Sequence, residues 1–209
     1  MTQIHARNSP ANYNQVPDYC FKDGGSILDV GCMSGLNALI SKHRNYFLEA
    51  EANKSYQGVD LLVYPKNYLD PIIIDDLREF WTDESFNLVL ALHVMEHIEI
   101  EYWNRIICKL QHFVKPGGFL VIGVPYKSRD PEVENPHVVF DIDENMIRDF
   151  LPRINIYKHR KSYPHFREPN ESLVWAIGRF FWRIVTRHDY RWRIQSEAMV
   201  VVWKKGLKK

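Results

Sequence analysis

Two short segments near the start of the chain have the residue types that bind a nucleotide. Gly31 and Gly35 enclose a turn that directly follows the apolar run 26–30, and Asp60 ends a second apolar run. Glycines let the backbone pass close to a ligand, and an aspartate at the end of a second strand can accept hydrogen bonds from both vicinal hydroxyls of a ribose. A glycine turn alone would equally suit a tight turn without a ligand. The turn and the acid together indicate a site for an adenosine-type nucleotide.

Apolar runs alternate with longer stretches of helical spacing along the chain. The predicted strands are 26–30, 56–61, 71–74, 86–92, 119–124, 154–157 and 198–204. The predicted helices are 35–50, 99–113, 143–151 and 171–187. Because the crossovers are long enough to contain a helix, we expect a mostly parallel, doubly wound α/β sheet. Ligands of such sheets bind at the carboxyl ends of the strands, where the glycine turn and Asp60 fall.

Five motifs follow one another in a characteristic order. They are LDVGCMSG at 28–35, GVD at 58–60, IIIDDL at 72–77, FNLVLALHVMEHI at 86–98 and KPGGFLVIGVP at 115–125. This series resembles the class I S-adenosylmethionine-dependent methyltransferases, in particular the small type 11 group with Glu-His after the fourth strand. The resemblance covers about residues 24–151. It implies a Rossmann-like, seven-stranded, mostly parallel sheet with an antiparallel last strand, S-adenosylmethionine as cofactor and methyl transfer as activity.

The resemblance also implies cofactor contacts at the ends of four strands. The turn after the first strand would run beneath the methionine moiety and the ribose, and the acid after the second strand would bind the ribose hydroxyls. The residues after the third strand would recognise adenine, and the histidine after the fourth would line the methionine end or the sulfonium. The implied cofactor residues are Asp29, Gly31, Cys32, Met33, Gly35, Asp60, Leu61, Asp75, Asp76, Leu77 and His93.

Two of these positions leave alternatives open. Met33 stands where the family usually has a glycine, so its side chain would either crowd the cofactor or point away from it. His93 suits a strand-end histidine with a structural role as well as a cofactor contact.

A general base is expected in the loops after the fourth and fifth strands, because methyl transfer often requires removal of a proton from the acceptor. The candidates are Glu96, His97, Tyr126 and His137. The segment His93-Val-Met-Glu96-His97 also matches the H-x-x-E-H pattern of zinc peptidases. Because a buried strand precedes it, we expect His93 at a strand end and no metal site.

Charge is distributed unevenly along the chain. Residues 1–151 have 13 Lys/Arg and 22 Asp/Glu, whereas residues 152–209 have 14 and 4. Arg179, Arg183 and Arg187 recur every fourth residue within the predicted helix 171–187. This basic part favours a small anionic acceptor such as a sugar phosphate, a nucleotide sugar or another glycan precursor. It equally suits a solvated face that pairs with the acidic part of the chain, with the arginines of the helix in water. A membrane surface is a less favoured partner of this helix, and no motif for nucleic acid is present.

Length and composition indicate one domain, 1–209, with a lead-in over 1–25, a cofactor-binding core over 26–151 and the basic part over 152–209. Three cysteines without a CxxC pair and the lack of a leader predict a cytoplasmic protein, either a monomer or a homodimer. Without a sizeable cap before the first strand, specificity is expected from 126–142 and 158–195. Two other functions stay open: a catalytically silent cofactor-binding partner subunit, and a peripheral-membrane methyltransferase acting on a lipid or quinone.

Overall fold

A seven-stranded mixed sheet forms the centre of the fold. The computed structural model describes residues 13–126, 138–139, 141–160 and 197–206. The strands are β1 (Ile27–Val30), β2 (Tyr56–Asp60), β3 (Ile72–Ile74), β4 (Phe86–Leu92), β5 (Val114–Tyr126), β6 (Asn155–Arg160) and β7 (Glu197–Lys204). The helices are α1 (Leu36–Leu39), α2 (Arg44–Ala52), α3 (Ile100–Phe113) and α4 (Glu144–Phe150).

The strand order is β3-β2-β1-β4-β5-β7-β6, which confirms the predicted doubly wound topology. The first five strands are parallel, and β7 runs antiparallel to both β5 and β6. The chain order reverses between β1 and β4, so the switch point lies between these two strands. The carboxyl ends of β1 to β5 therefore meet at one edge of the sheet, and this edge carries the residues discussed below.

Apolar side chains cover both faces of the sheet, as the continuous apolar sequence of β4 requires. On one face, α3 contributes an apolar stripe at helical spacing. Its buried residues include Trp103, Ile106, Ile107, Leu110 and Phe113. On the other face, Phe47 of α2 packs with Tyr13, Val16 and Cys20 from the residues before β1. Helices thus lie on both sides of the sheet, as in doubly wound proteins.

The predicted helix 35–50 is wrong as a single element, because it is interrupted after Leu39. The Ser41 hydroxyl donates to the Ala38 carbonyl oxygen at 2.7 Å, in competition with the helical backbone bonds. Beyond this break, the buried His43 ring bonds the Val16 carbonyl oxygen through Nε2 at 2.9 Å. A serine and a buried histidine thus separate α1 from α2.

The fifth strand begins earlier than predicted, at Val114 directly after α3. Lys205 stabilises this junction by donating from Nζ to the carbonyl oxygens of Gln111, His112 and Val114 at 3.1, 3.3 and 2.6 Å. The junction lies at the amino end of β5, on the side of the sheet opposite the carboxyl edge. In the part of the chain described here, no helix is both long and apolar enough to cross a membrane.

Candidate functional site

The turn after β1 requires glycine at two positions because of its backbone conformation and because neighbouring residues leave no room for a side chain. Gly31 and Gly35 have φ angles of +70° and +76°, which side chains disfavour. A Cβ atom at Gly31 would collide with the Val94 side chain, and one at Gly35 would lie 2.9 Å from Leu69 Cβ. Both positions therefore bring the turn into close contact with neighbouring segments, Val94 after β4 and Leu69 before β3.

Met33 occupies the glycine position of this turn in a glycine-like conformation, with φ at +54°. Its backbone N–H donates to Asp60 Oδ2 at 2.7 Å. Its sulfur lies 3.9 Å from Asn37 Nδ2, which places the side chain beside α1. The chain thus accommodates methionine in the turn at the energetic cost of a left-handed backbone, about 1–2 kcal/mol.

Asp60 connects the turn after β1 to the segment after β2. The residue is 8% exposed, and its two carboxylate oxygens accept backbone N–H bonds from Met33 and, at 2.9 Å, from Leu62. An ionised carboxylate has about four acceptor positions, so two remain for hydroxyl donors. The adjacent Leu61 side chain is 63% exposed and offers an apolar surface beside the carboxylate.

The two acids after β3 have different environments. The backbone N–H of Asp75 donates to the Asp60 carbonyl oxygen at 2.9 Å, which places Asp75 next to Asp60 at the carboxyl edge. Asp76 forms an ion pair with Arg78, whose Nη2 lies 2.6 Å from Oδ2, and hydrogen bonding to Arg78 lowers the pKa of this carboxyl. Leu77 buries its side chain in the core. Asp75 is therefore the acid better placed to contact a ligand, and Leu77 can contribute only backbone groups.

Asp29 and Cys32 direct their side chains into the protein interior. The Tyr13 hydroxyl donates to both oxygens of the fully buried Asp29 carboxyl, at 3.2 and 2.9 Å. Burial raises the pKa of Asp29 to about 7, and the nearby charge of Asp60 adds to this shift. Burial also raises the pKa of the Cys32 thiol, which lies against Gly58. These two residues support the turn from within.

We expect Asp29 to make the free energy of unfolding depend on pH. In the unfolded chain this carboxyl ionises near pH 4, whereas in the folded protein it retains its proton up to about pH 7. Stability therefore falls as pH rises between these values, by about 2–3 kcal/mol between pH 5 and pH 8. Asp29→Asn, which retains an acceptor for Tyr13, should remove this loss in urea unfolding measured from pH 5 to pH 8. The exposed Asp23→Asn is the control, and an unchanged slope in Asp29→Asn would contradict the assignment.

The residues before β1 contribute to the site although they were predicted to be a lead-in. Asn14 accepts the Lys42 backbone N–H at 2.6 Å, and Phe21 stacks on His43 with ring centroids 4.1 Å apart. Tyr13 reaches Asp29 from this segment. The apolar spacing of Tyr13, Val16 and Cys20 was the signal in the sequence, but nothing in it indicated the partner of the tyrosine.

At the carboxyl edge, the imidazole of His93 pairs with the carboxylate of Glu96. It follows β4 with φ at +59°, and its backbone N–H donates to the Gly123 carbonyl oxygen at 2.8 Å. Ring Nδ1 lies 2.9 Å from Oε1 of the fully buried Glu96, while the His93 side chain is 27% exposed. With Nδ1 bonded to the carboxylate, the other ring nitrogen, Nε2, is the one left to exchange a proton.

Of the predicted general bases, Glu96 and His97 have side chains that the structure describes. His97 is exposed on the short 3-10 turn Met95–His97. The backbone of Tyr126 pairs with Glu197 at the end of β5, whereas His137 and the predicted helix 171–187 lie outside the described residues. His93 and His97 do not share a helix, contrary to the zinc peptidase pattern, and the described residues contain no cluster of three metal-ligating side chains.

Buried acceptors near the turn are left without a donor among the described residues. Asn37 Oδ1, in the first turn of α1 beside Met33, has no hydrogen-bond partner there, and neither has Gln15 Oε1 before β1. An unsatisfied buried acceptor costs about 1–3 kcal/mol, so such atoms mark places where a ligand can supply a donor. No pattern in the sequence indicates either residue.

Comparisons with known proteins agree with this arrangement. The profile of a family described as "Methyltransferase domain" matches residues 4–189. (S)-Coclaurine N-methyltransferase of Papaver somniferum is 26% identical over 112 residues, and the match spans 48% of this chain and 30% of that protein.

Solved structures share the fold. A SAM-dependent methyltransferase from Archaeoglobus fulgidus has a TM-score of 0.59 at 16% identity, with 95% of this chain and 96% of that one covered. Coclaurine N-methyltransferase bound to N-methylheliamine and SAH has a TM-score of 0.58 at 16% identity, with 90% and 70% covered.

Proposed function

The chain belongs to the class I S-adenosylmethionine-dependent methyltransferases, and from this membership we propose that it transfers a methyl group from S-adenosylmethionine to a nitrogen or oxygen atom of a small acceptor. The observation that carries the proposal is the Asp60 carboxylate, which is oriented by backbone N–H groups of two segments at the carboxyl edge. The direct test is transfer of a radiolabelled methyl group from the cofactor to small amines, phenols and sugar phosphates. No labelled product from any of them would contradict the proposal.

The residues at the edge fit the cofactor. Asp60 would accept the two ribose hydroxyls, and the exposed side chain of Leu61 would cover one face of the adenine. The unsatisfied Asn37 Oδ1 suits the ammonium group of the methionine moiety, because an amide oxygen accepts from a cation. Asp75 would accept the exocyclic amine of adenine. The cofactor supplies, when bound, a methyl group on an electrophilic sulfonium.

We assign the general base to His93, and Glu96 is its positioning residue. Glu96 fixes the imidazole ring through Nδ1, so that Nε2 can take the proton that the acceptor loses as its bond to the methyl carbon forms. The buried carboxylate also stabilises the imidazolium that results. This role deepens the earlier assignment of His93 to the cofactor end of the site. It favours an acceptor whose nucleophile bears a proton, such as an amine or a phenol.

The nature of the acceptor is proposed on two grounds. A relative whose name states N-methylation favours nitrogen as the methylated atom. The net positive charge of residues 152–209 favours an acceptor with an anionic group, such as a sugar phosphate or nucleotide sugar. Together these grounds suggest an amino group on an anionic small molecule.

Replacing Arg179, Arg183 and Arg187 together with glutamine tests the anionic acceptor. We expect the KM for an anionic acceptor to rise about tenfold or more, since each contact between an arginine and the anion contributes up to about 1 kcal/mol. The affinity for S-adenosylhomocysteine should stay the same. The measurement is steady-state kinetics with an anionic acceptor and its neutral analogue. An equal change in KM for both acceptors, or no change for either, would exclude recognition of the anion by these arginines.

A further inference from the structure

Lys109 is a buried lysine whose ammonium group donates hydrogen bonds to the loop after β3. It lies on α3, is 8% exposed and donates from Nζ to three backbone carbonyl oxygens. These belong to Leu77 at 2.9 Å, Arg78 at 2.9 Å and Phe80 at 3.0 Å. All three follow β3, so a single side chain of α3 joins this helix to the segment 77–80.

This arrangement has an energetic cost that requires an explanation. Burial lowers the pKa of Lys109, and the positive charge of Arg105 adds to the effect, because both disfavour a charged ammonium. The three hydrogen bonds to carbonyl oxygens offset part of the cost, since bonds to charged donors are about twice as strong as neutral ones. The negative charges of Glu79, Asp75 and Asp76 also favour the ammonium form. The ammonium therefore lies close to the acids that follow β3.

The side chains of the same segment also constrain it, through the ion pair of Asp76 with Arg78 and through Leu77 and Phe80, which are buried in the core. Backbone N–H groups of Glu79 and Phe80 donate to the Asp76 carbonyl oxygen at 2.9 and 2.7 Å, which closes one turn. The carbonyls of Leu77, Arg78 and Phe80 point instead towards α3, where Lys109 satisfies all of them. Because Lys109 binds these carbonyls, it holds in place the backbone of Leu77, which directly follows the two acids, of which Asp75 is hydrogen-bonded to Asp60.

We propose that Lys109 is a positioning residue for adenine recognition. By binding three carbonyl oxygens of the segment 75–80, it helps to position the Asp75 carboxylate for the amino group of adenine and the backbone N–H of Leu77 for the ring nitrogen. This inference rests on the proposed cofactor site. It makes the selectivity of the site for adenine, rather than its affinity alone, depend on a residue that does not touch the cofactor.

The test compares two ligands that differ only at the recognised edge of the base. S-Adenosylhomocysteine has an amino group and an acceptor nitrogen, whereas S-inosylhomocysteine has an oxygen acceptor and an N–H donor in their places. We expect the wild-type chain to prefer the adenine compound by at least about tenfold in calorimetric titration. Lys109→Met, which keeps the length of the side chain, should reduce this preference to about threefold or less, mainly by weakening the adenine compound.

A matched control separates this role from loss of stability. Lys205 also donates to three carbonyl oxygens, but these lie at the junction of α3 with β5 and none belongs to the segment 75–80. Lys205→Met should lower the melting temperature and leave the base preference intact. If Lys109→Met does not fold, Lys109→Gln, which retains two donors, should show an intermediate preference. Equal weakening of both ligands, or an unchanged preference, would overturn the inference, whereas a wild-type chain that binds neither ligand would instead reject the cofactor site.

Discussion

Asp60→Ala should weaken binding of S-adenosylhomocysteine by about 30- to 1,000-fold, which corresponds to about 2–4 kcal/mol. The substitution removes the acceptor for the ribose hydroxyls. It also leaves the backbone N–H groups of Met33 and Leu62 without their partner, so the glycine turn loses one of its connections to the end of β2. Calorimetric titration gives the affinity, and circular dichroism confirms that the variant is folded.

Two further variants make this result specific to the Asp60 carboxylate. Asp23→Ala removes an exposed acid just before β1 and should leave the affinity unchanged. Asp60→Asn preserves the volume of the side chain but presents amide hydrogens to one of the two backbone donors. The affinity of this variant for S-adenosylhomocysteine should therefore also fall. A folded Asp60→Ala variant with wild-type affinity would show that the nucleotide binds elsewhere.

His93→Gln should lower kcat by about 100- to 10,000-fold while the affinity for S-adenosylhomocysteine stays within about threefold of wild type. The expected loss is large because glutamine cannot take the acceptor's proton, and the retained affinity is expected because the ribose and adenine contacts are made by other strand ends. Single-turnover methyl transfer separates the chemical step from product release.

The role of Glu96 gives this prediction a second, independent measurement. Glu96→Gln should lower kcat less than His93→Gln does, because the base remains but its ring loses the carboxylate that orients it through Nδ1. His112→Gln, an exposed histidine on α3, is the control and should leave kcat unchanged. If His93→Gln has the kcat of the wild type, His93 is not the general base, and the other predicted residues, Glu96, His97, Tyr126 and His137, are again the candidates.

Most of the sheet was predictable from sequence because its strands are short apolar runs bounded by turn residues. β4 was predicted with its observed ends, since the apolar run 88–92 that forms most of it has few alternatives. The helix after the glycine turn was less predictable. Its interruption depends on the Ser41 hydroxyl and on contacts of His43 with residues before β1, and these contacts become visible only in three dimensions.

The site was predictable to the extent that it follows from strand ends. Gly31, Asp60, Asp75 and His93 could be placed together because parallel strands share a carboxyl edge. The contacts between side chains could not be predicted in this way. Asp76 pairs with Arg78, and Tyr13 donates to Asp29, which lies 16 positions later in the sequence. Nor does the sequence indicate that an amphipathic helix directs its lysine to a loop 29 to 32 residues earlier in the chain.

The central claim is that the carboxyl edge of this sheet binds S-adenosylmethionine, and titration of the purified wild-type chain with that compound and with S-adenosylhomocysteine tests it most directly. We predict one site per chain with a Kd on the order of micromolar, or about −8 kcal/mol, for each compound. Binding accompanied by methyl transfer to an acceptor would establish the enzyme, whereas binding without turnover on any acceptor would favour the silent-subunit alternative. A folded chain that gives no heat with either compound, and no shift of its melting temperature, would contradict the account.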